Sequence, residues 1–283
     1  MISGPWSPRA RRWAVMAVAA VLALAWAVPL LWVLSSAFKP HYEIVGPERR
    51  LLPATATLEN WWNLADTQGR AVSVGRAFVN SLAIALVSTG STLLTSSLAG
   101  YAFARLRFRG REALFGVLLA TMMIPNEVIL VPLFLQFHRF ELLNSYTALV
   151  MPHAISMLGV FLLRQFMLGI PGDLIDAASI DGAGQFRVYR HVVLPLTRPA
   201  MATLGVFAFL GSWNDFLWPL IVVNTPDKQT LPLALITFRS AYQMADYGTV
   251  LASTLVAVAP PLLFFMVAQR YVIASISRTG LKG

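Results

Sequence analysis

Apolar and polar positions separate along the chain into long blocks. Stretches without Asp, Glu, Lys or Arg run from Trp13 to Phe38, Ala77 to Ala104, Leu142 to Leu163 and Tyr247 to Gln269. Two more, Ala113 to His138 and Pro199 to Pro226, are each interrupted by a single acid, Glu127 and Asp215. A bilayer core takes about 20 apolar residues per helix, so each block can cross once. Strands of an outer-membrane barrel alternate every second residue, and these blocks do not. The pattern predicts an all-α polytopic membrane protein, one transmembrane domain over residues 1–283. Its six spans are expected at about 13–36, 77–101, 113–136, 147–169, 199–223 and 249–270.

The totals agree. The 283 residues are 57% hydrophobic and only 12% charged, with a mean hydropathy of +0.65, which excludes an ordinary soluble domain. Arg9, Arg11 and Arg12 followed by WAVMAVAAVLALAWA have the form of a signal peptide. The apolar run continues through VPLLWVLSSAF, longer than a typical h-region, so an uncleaved first span is expected. The chain has no cysteine, which rules out disulfides and thiolate metal sites.

Charge orients the bundle. With six spans both termini share a side, and fourteen of the 22 cations fall on it: Arg9, Arg11 and Arg12, the Arg105–Arg111 loop, Arg164 to Arg198, and the C-terminal Arg270, Arg278 and Lys282. The positive-inside rule makes that side, and both termini, cytoplasmic. The net charge of +9 follows from this asymmetry and from anionic lipid, and requires no nucleic acid. On the outer side, TLENWW (Thr57 to Trp62) suggests a short capped helix that lays tryptophans at the interface, as an anchor or as part of a ligand site.

Several chemistries are missing. None of the three lysines stands in a phosphate-cradling loop, and the four histidines show no metal-like pair spacing. No hydrolase elbow or metalloprotease motif occurs.

One polar stretch separates spans four and five, residues 171–197, containing DAASIDGAGQFRVYRHVVLPL. After Pro171 and Gly172, Asp173 is placed to cap a short helix and Asp176 to favour its dipole; Gly182 is placed to end it. A second short helix puts Phe186, Tyr189 and Val193 on one stripe away from Arg187, Arg190 and His191, and Pro195 is expected to end it. The residues alone allow two readings: a low-profile docking surface, or a compact re-entry loop whose acids only cap helices.

The spacing adds a resemblance. Asp176-Ala177-Ala178, Gly182 six positions after the acid, and Val192-x-Leu194-Pro195 after nine more residues resemble the E-A-A-x-x-x-G-x9-I-x-L-P signature of ABC importer permeases, with Asp for Glu and Val for Ile. FLLRQFMLGIP, GSWNDFLWPLIV, MMIPNEVILVPLF and the tail TGLKG extend the likeness to the carbohydrate-type branch, similar to the inner-membrane subunits of maltose and glycerol-3-phosphate importers.

The resemblance implies that the helix around Asp176, Ala177, Ala178 and Gly182 is a coupling helix, with Phe186 beside it and Leu194 and Pro195 setting the angle into span five. It implies no cofactor in this chain, with ATP and Mg bound by two cytoplasmic ABC ATPase subunits. A second homologous permease and an extracytoplasmic solute-binding protein complete the set, in a prokaryotic inner or plasma membrane. The cargo implied is a sugar or related solute. The tail from Arg278 to Gly283 either touches the ATPase pair or is a charged end.

Acids within spans face the bundle interior or water. Candidate path residues are therefore Glu127 and the cluster Trp213, Asn214 and Asp215. Such acids also permit a different class, a secondary transporter that carries protons and needs no docking loop.

Overall fold

A computed structural model describes residues 8–47, 50–65, 73–241 and 247–279. The described residues contain helices and turns and no strand. They fall into two compact units, Met1–Gln68 with Arg239–Val256, and Gly69–Phe238 with Ala257–Gly283.

The first unit holds α1 (Pro8–Ser36), α2 (His41–Val45) and α3 (Glu59–Ala65). Pro29 lies inside α1 without ending it. The expected short helix at TLENWW is α3, and Thr57 Oγ1 accepts the Glu59 N–H at 3.1 Å. Trp61 turns inward against Phe38, ring centroids 5.5 Å apart, whereas Trp62 is 71% exposed. Asn60, buried in α3, donates to the carbonyls of Ala37 and Lys39, both at 2.9 Å. Glu43 accepts from Ala54 N, Thr55 N and Thr55 Oγ1, which ties α2 to the following loop.

The second unit is organised on α4 (Val74–Arg105), with α5 (Arg111–Thr121) and α6 (Asn126–Arg139) next in the chain. There follow α7 (Tyr146–Val150), a 3-10 turn over Met151–His153, and α8 (Met157–Leu168). The polar loop comprises α9 (Gly172–Ile180), α10 (Gln185–Val188), a π turn over Tyr189–Val193, and α11 (Leu194–Leu196). Span five is α12 (Arg198–Trp213) with α13 (Leu217–Val222); α14 (Leu231–Ala241) and α15 (Tyr247–Thr279) follow, each divided between the two units because Arg239–Val256 belongs to the first.

Among the described residues, five stretches are long and apolar enough to cross a bilayer: Arg11–Ser36, Val74–Arg105, Tyr146–Leu168, Arg198–Val222 and Tyr247–Gln269. The third expected span, 113–136, is not one straight helix. It is the pair α5 and α6, bent by 98°. The bend follows from Pro125: three successive i→i+3 bonds, from Met122 N, Met123 N and Ile124 N, tighten the end of α5, and proline then offers no N–H to continue. Counted as one crossing, the pair brings the total to six.

Two apolar clusters lie at separate levels of α4. One gathers Tyr101 and Ala104 with Leu163, Met167, Val188, Val193 and Leu204. The other gathers Ile84 with Phe137, Leu149, Trp218 and Val222. From Ile84 to Tyr101 is about 25 Å of helix, close to a hydrocarbon thickness. α4 and α8 pack closely: a Cβ at Gly100 would stand 3.1 Å from Leu163 Cβ and 3.2 Å from the Arg164 N.

Candidate functional site

α9 starts directly after Pro171, whose φ of −54° and ψ of 134° lead into the first turn, and no side chain caps it. Asp173 is therefore not the cap expected from sequence but the second residue of the helix, where a carboxylate still meets the positive end of the dipole. Asp176 lies a turn further on. It is exposed and forms no ion pair among the described residues.

The end of α9 is as expected. Gly182 has φ +78°, and the Ala183 N–H reaches the Ala178 carbonyl while the Gly182 N–H reaches that of Ser179, each at 3.0 Å. These are the paired bonds of a Schellman stop, which needs a left-handed residue at Gly182. A Cβ there would meet nothing within 4 Å, so backbone conformation, and not crowding within this chain, requires the glycine.

The loop has an inner and an outer face. Ile175, Ala178, Ala183 and Leu194 pack on the cluster of Tyr101, Leu163 and Val193. Outward, α9 buries no residue; Ile180 is 86% exposed and Phe186 is 68% exposed. The expected stripe of Phe186, Tyr189 and Val193 is thus corrected. Tyr189 and Val193 are buried, but their partner is Val188, and Phe186 faces solvent with its ring 6.1 Å from Tyr189.

The second helix does not end at Pro195 either. The π turn sends the Leu194 N–H to the Tyr189 carbonyl, which opens the ladder where Pro195 has no donor. Helix persists to Leu196, and the break falls at buried Thr197, whose N–H reaches the carbonyls of Val193 and Leu194. Among the docking candidates, Asp176, Ala177, Gly182 and Phe186 are exposed, whereas Ala178, Leu194 and Pro195 are half-buried and shape the loop.

The path candidates are divided as well. Trp213 is 1% exposed; its indole N–H donates to the Ala257 carbonyl at 3.0 Å and its ring stacks on Phe209. It backs its neighbours and presents no surface to a solute. Asn214 is exposed at the end of α12, and Glu127 is exposed in the first turn of α6, away from that cluster in the chain.

Asp215 has a partner that sequence reasoning missed. Its Oδ2 lies 2.9 Å from His153 Nε2, with side chains 17% and 28% exposed. Its Oδ1 accepts the Trp218 N–H at 3.3 Å, at the start of α13. The His153 carbonyl accepts from Thr92 Oγ1 at 2.5 Å, and the Ala154 carbonyl from Thr95 Oγ1 at 3.0 Å. Spans four and five are thus both interrupted here, and the freed carbonyls of span four are satisfied from α4. The only sequence sign was Pro152 beside His153 in an apolar run.

Comparison with known proteins agrees with this architecture. Residues 72–278 match the family described as binding-protein-dependent transport system inner membrane component. The chain is 36% identical over 257 residues to the arabinooligosaccharides transport system permease protein AraQ of Halalkalibacterium halodurans, covering 90% of this chain and 91% of that one. It is also 36% identical over 270 residues to the diacetylchitobiose uptake system permease protein NgcG of Streptomyces coelicolor, covering 93% and 87%. A crystal structure of a bacterial ABC transporter that imports the acidic polysaccharide alginate aligns with a TM-score of 0.80 at 20% identity, over 95% of this chain and 100% of that one. The protein is an integral membrane permease of ABC-transporter type. It belongs to the binding-protein-dependent transport system inner membrane component family, which removes the secondary-transporter alternative.

Proposed function

We propose that this chain forms half of the membrane path of an ATP-driven importer for a sugar or oligosaccharide, and that α9 docks it to a cytoplasmic ATPase. The observation that carries the reading is α9 itself: a short helix with no buried residue, closed by a left-handed glycine and held on a loop whose inner face is packed. An exposed apolar tip such as Ile180, at 86%, on a rigid support is the form of a surface that receives a partner. The carbohydrate cargo rests on the relatives, whose names specify arabinooligosaccharides and diacetylchitobiose.

One docking helix per chain implies two permease chains for two ATPase subunits, the second a homologue of this one. ATP and Mg belong to the ATPase pair, and an extracytoplasmic binding protein delivers the solute, as the family description supports. The α9 loop and both termini lie on the cytoplasmic side, on the arginine asymmetry. Closure of the ATPase pair moves α9 as a lever and rocks the bundle between inward-open and outward-open states. Asn214 and Asp215 at the break of span five, with Glu127, are the proposed solute-facing groups.

Asp176→Arg and deletion of residues 176–182 are expected to abolish transport while the chain still inserts into membrane. Transport and ATP hydrolysis in proteoliposomes check this. Solute-stimulated hydrolysis at the normal rate in the deletion overturns the docking reading.

A further inference from the structure

One face of α4 makes polar bonds to the α9 loop and to the end of α8 that leads into it. Ser97, Tyr101 and Arg105 are four residues apart and therefore stacked along one side of that helix. Ser97 Oγ lies 2.8 Å from the Tyr189 hydroxyl. The Tyr101 hydroxyl donates to Gln185 Oε1 at 2.9 Å and to its carbonyl at 3.2 Å. Arg105 Nη2 donates to the Met167 carbonyl at 2.6 Å and to that of Ile170.

The partners bracket α9. Met167 and Ile170 precede it; Gln185 and Tyr189 follow it. Ser97, Tyr101 and Tyr189 are at most 6% exposed; the Ser97–Tyr189 bond is made out of water, where direction and register count most, and the Tyr101 and Arg105 bonds are partly buried. The remaining contact, through Val188, Val193 and Leu163, is apolar and non-directional, and does not by itself prevent sliding.

We propose that Ser97, Tyr101 and Arg105 are positioning residues that make α4 move as one body with the docked loop, and so set how much solute crosses per ATP hydrolysed. This rests on α9 being the docking helix. α4 then carries the same motion to Thr92 and Thr95, which hold the break of span four beside His153 and Asp215.

The test uses the whole complex in proteoliposomes. Tyr101→Phe removes the hydroxyl but keeps the ring, packed 5.2 Å from that of Tyr189. It is expected to leave assembly and ATP hydrolysis in place and to lower solute transported per ATP roughly fivefold. Ser97→Ala alone leaves a buried hydroxyl unpaired on Tyr189; adding Tyr189→Phe removes that orphan. The pair is expected to recover complex yield and still transport poorly per ATP. A wild-type ratio in Tyr101→Phe, or recovery of both yield and ratio in the pair, overturns the proposal by showing that these groups only hold the fold. Absence of an ATPase from the wild-type complex overturns the docking reading and this one together.

Discussion

Gly182 separates what this chain requires from what a partner requires. Its φ of +78° favours glycine, and asparagine next, whereas the space around it is open. Gly182→Val is expected to loosen the end of α9 by about 1–2 kcal/mol, read as faster amide exchange at Ala183. Gly182→Asn tolerates the backbone and adds bulk. If the ATPase approaches closely, Asn keeps amide protection at Ala183 and loses transport; retention of both shows that no partner surface lies against this glycine. Asp215 makes a second residue-scale claim. Its Oδ2 and His153 Nε2 share one hydrogen bond at 2.9 Å. Asp215→Asn is expected to destabilise the purified protein by about 1.5–3 kcal/mol, and His153→Gln on that background to add little. Additive losses would show that the two side chains act separately. Asp215 was visible in the sequence as an acid in an apolar run, but its partner lies 62 residues away and no local spacing points to it.

Elements were legible where their cause is local. The apolar blocks, the Pro-Gly start of α9 and the glycine that ends it are written within a few residues. The bend between α5 and α6 and the π turn before Pro195 were not, because each is one of several ways of accommodating a proline and the neighbouring residue types do not choose among them. The α4 stripe of Ser97, Tyr101 and Arg105 was readable as polar positions at helical spacing, though not its partners 62 to 92 residues away. In the first unit, Glu43 shows an element held by charge. The Thr55 hydroxyl, then the Ala54 amide, pull its carboxyl below the usual carboxylate range. A depressed native pKa means that this clasp is complete above the ordinary value and is lost as pH falls through the lowered one. Protection factors of the Ala54 and Thr55 amides are expected to hold at neutral pH and drop in strong acid. Glu43→Gln should show the low protection already at pH 7; equal protection in both proteins would place the restraint elsewhere.

At the scale of the molecule, the number of crossings decides on which side α9 lies. α5 and α6 span about 17 and 21 Å along their axes, so neither crosses a 30 Å core alone, and a 98° bend could equally describe a loop that returns to its starting face. The packing of the second unit favours a crossing over that return. Arg105, at the end of α4, bonds the Met167 and Ile170 carbonyls at the end of α8, so both helices finish at one level. Near the starts of α5 and α8's last turns, Glu112 pairs with Arg164 at 3.2 Å. Phe137 of α6, by contrast, packs with Leu149 and Trp218 at the level of Ile84. The chain therefore leaves Arg105, reaches the level of Ile84 through α5 and α6, and comes back through α7 and α8, as a bent pair that crosses once requires. The chain lacks cysteine, which makes a direct test clean. Ile180→Cys, at a site 86% exposed, and Phe140→Cys, at one 69% exposed, are expected to react with a membrane-impermeant maleimide from opposite faces. Ile180→Cys should be protected in intact cells and labelled in inverted vesicles, and Phe140→Cys the reverse. Labelling of both from one face would make the bent pair a re-entrant loop, and would leave α9 on the wrong side for a cytoplasmic ATPase if that face is the outer one.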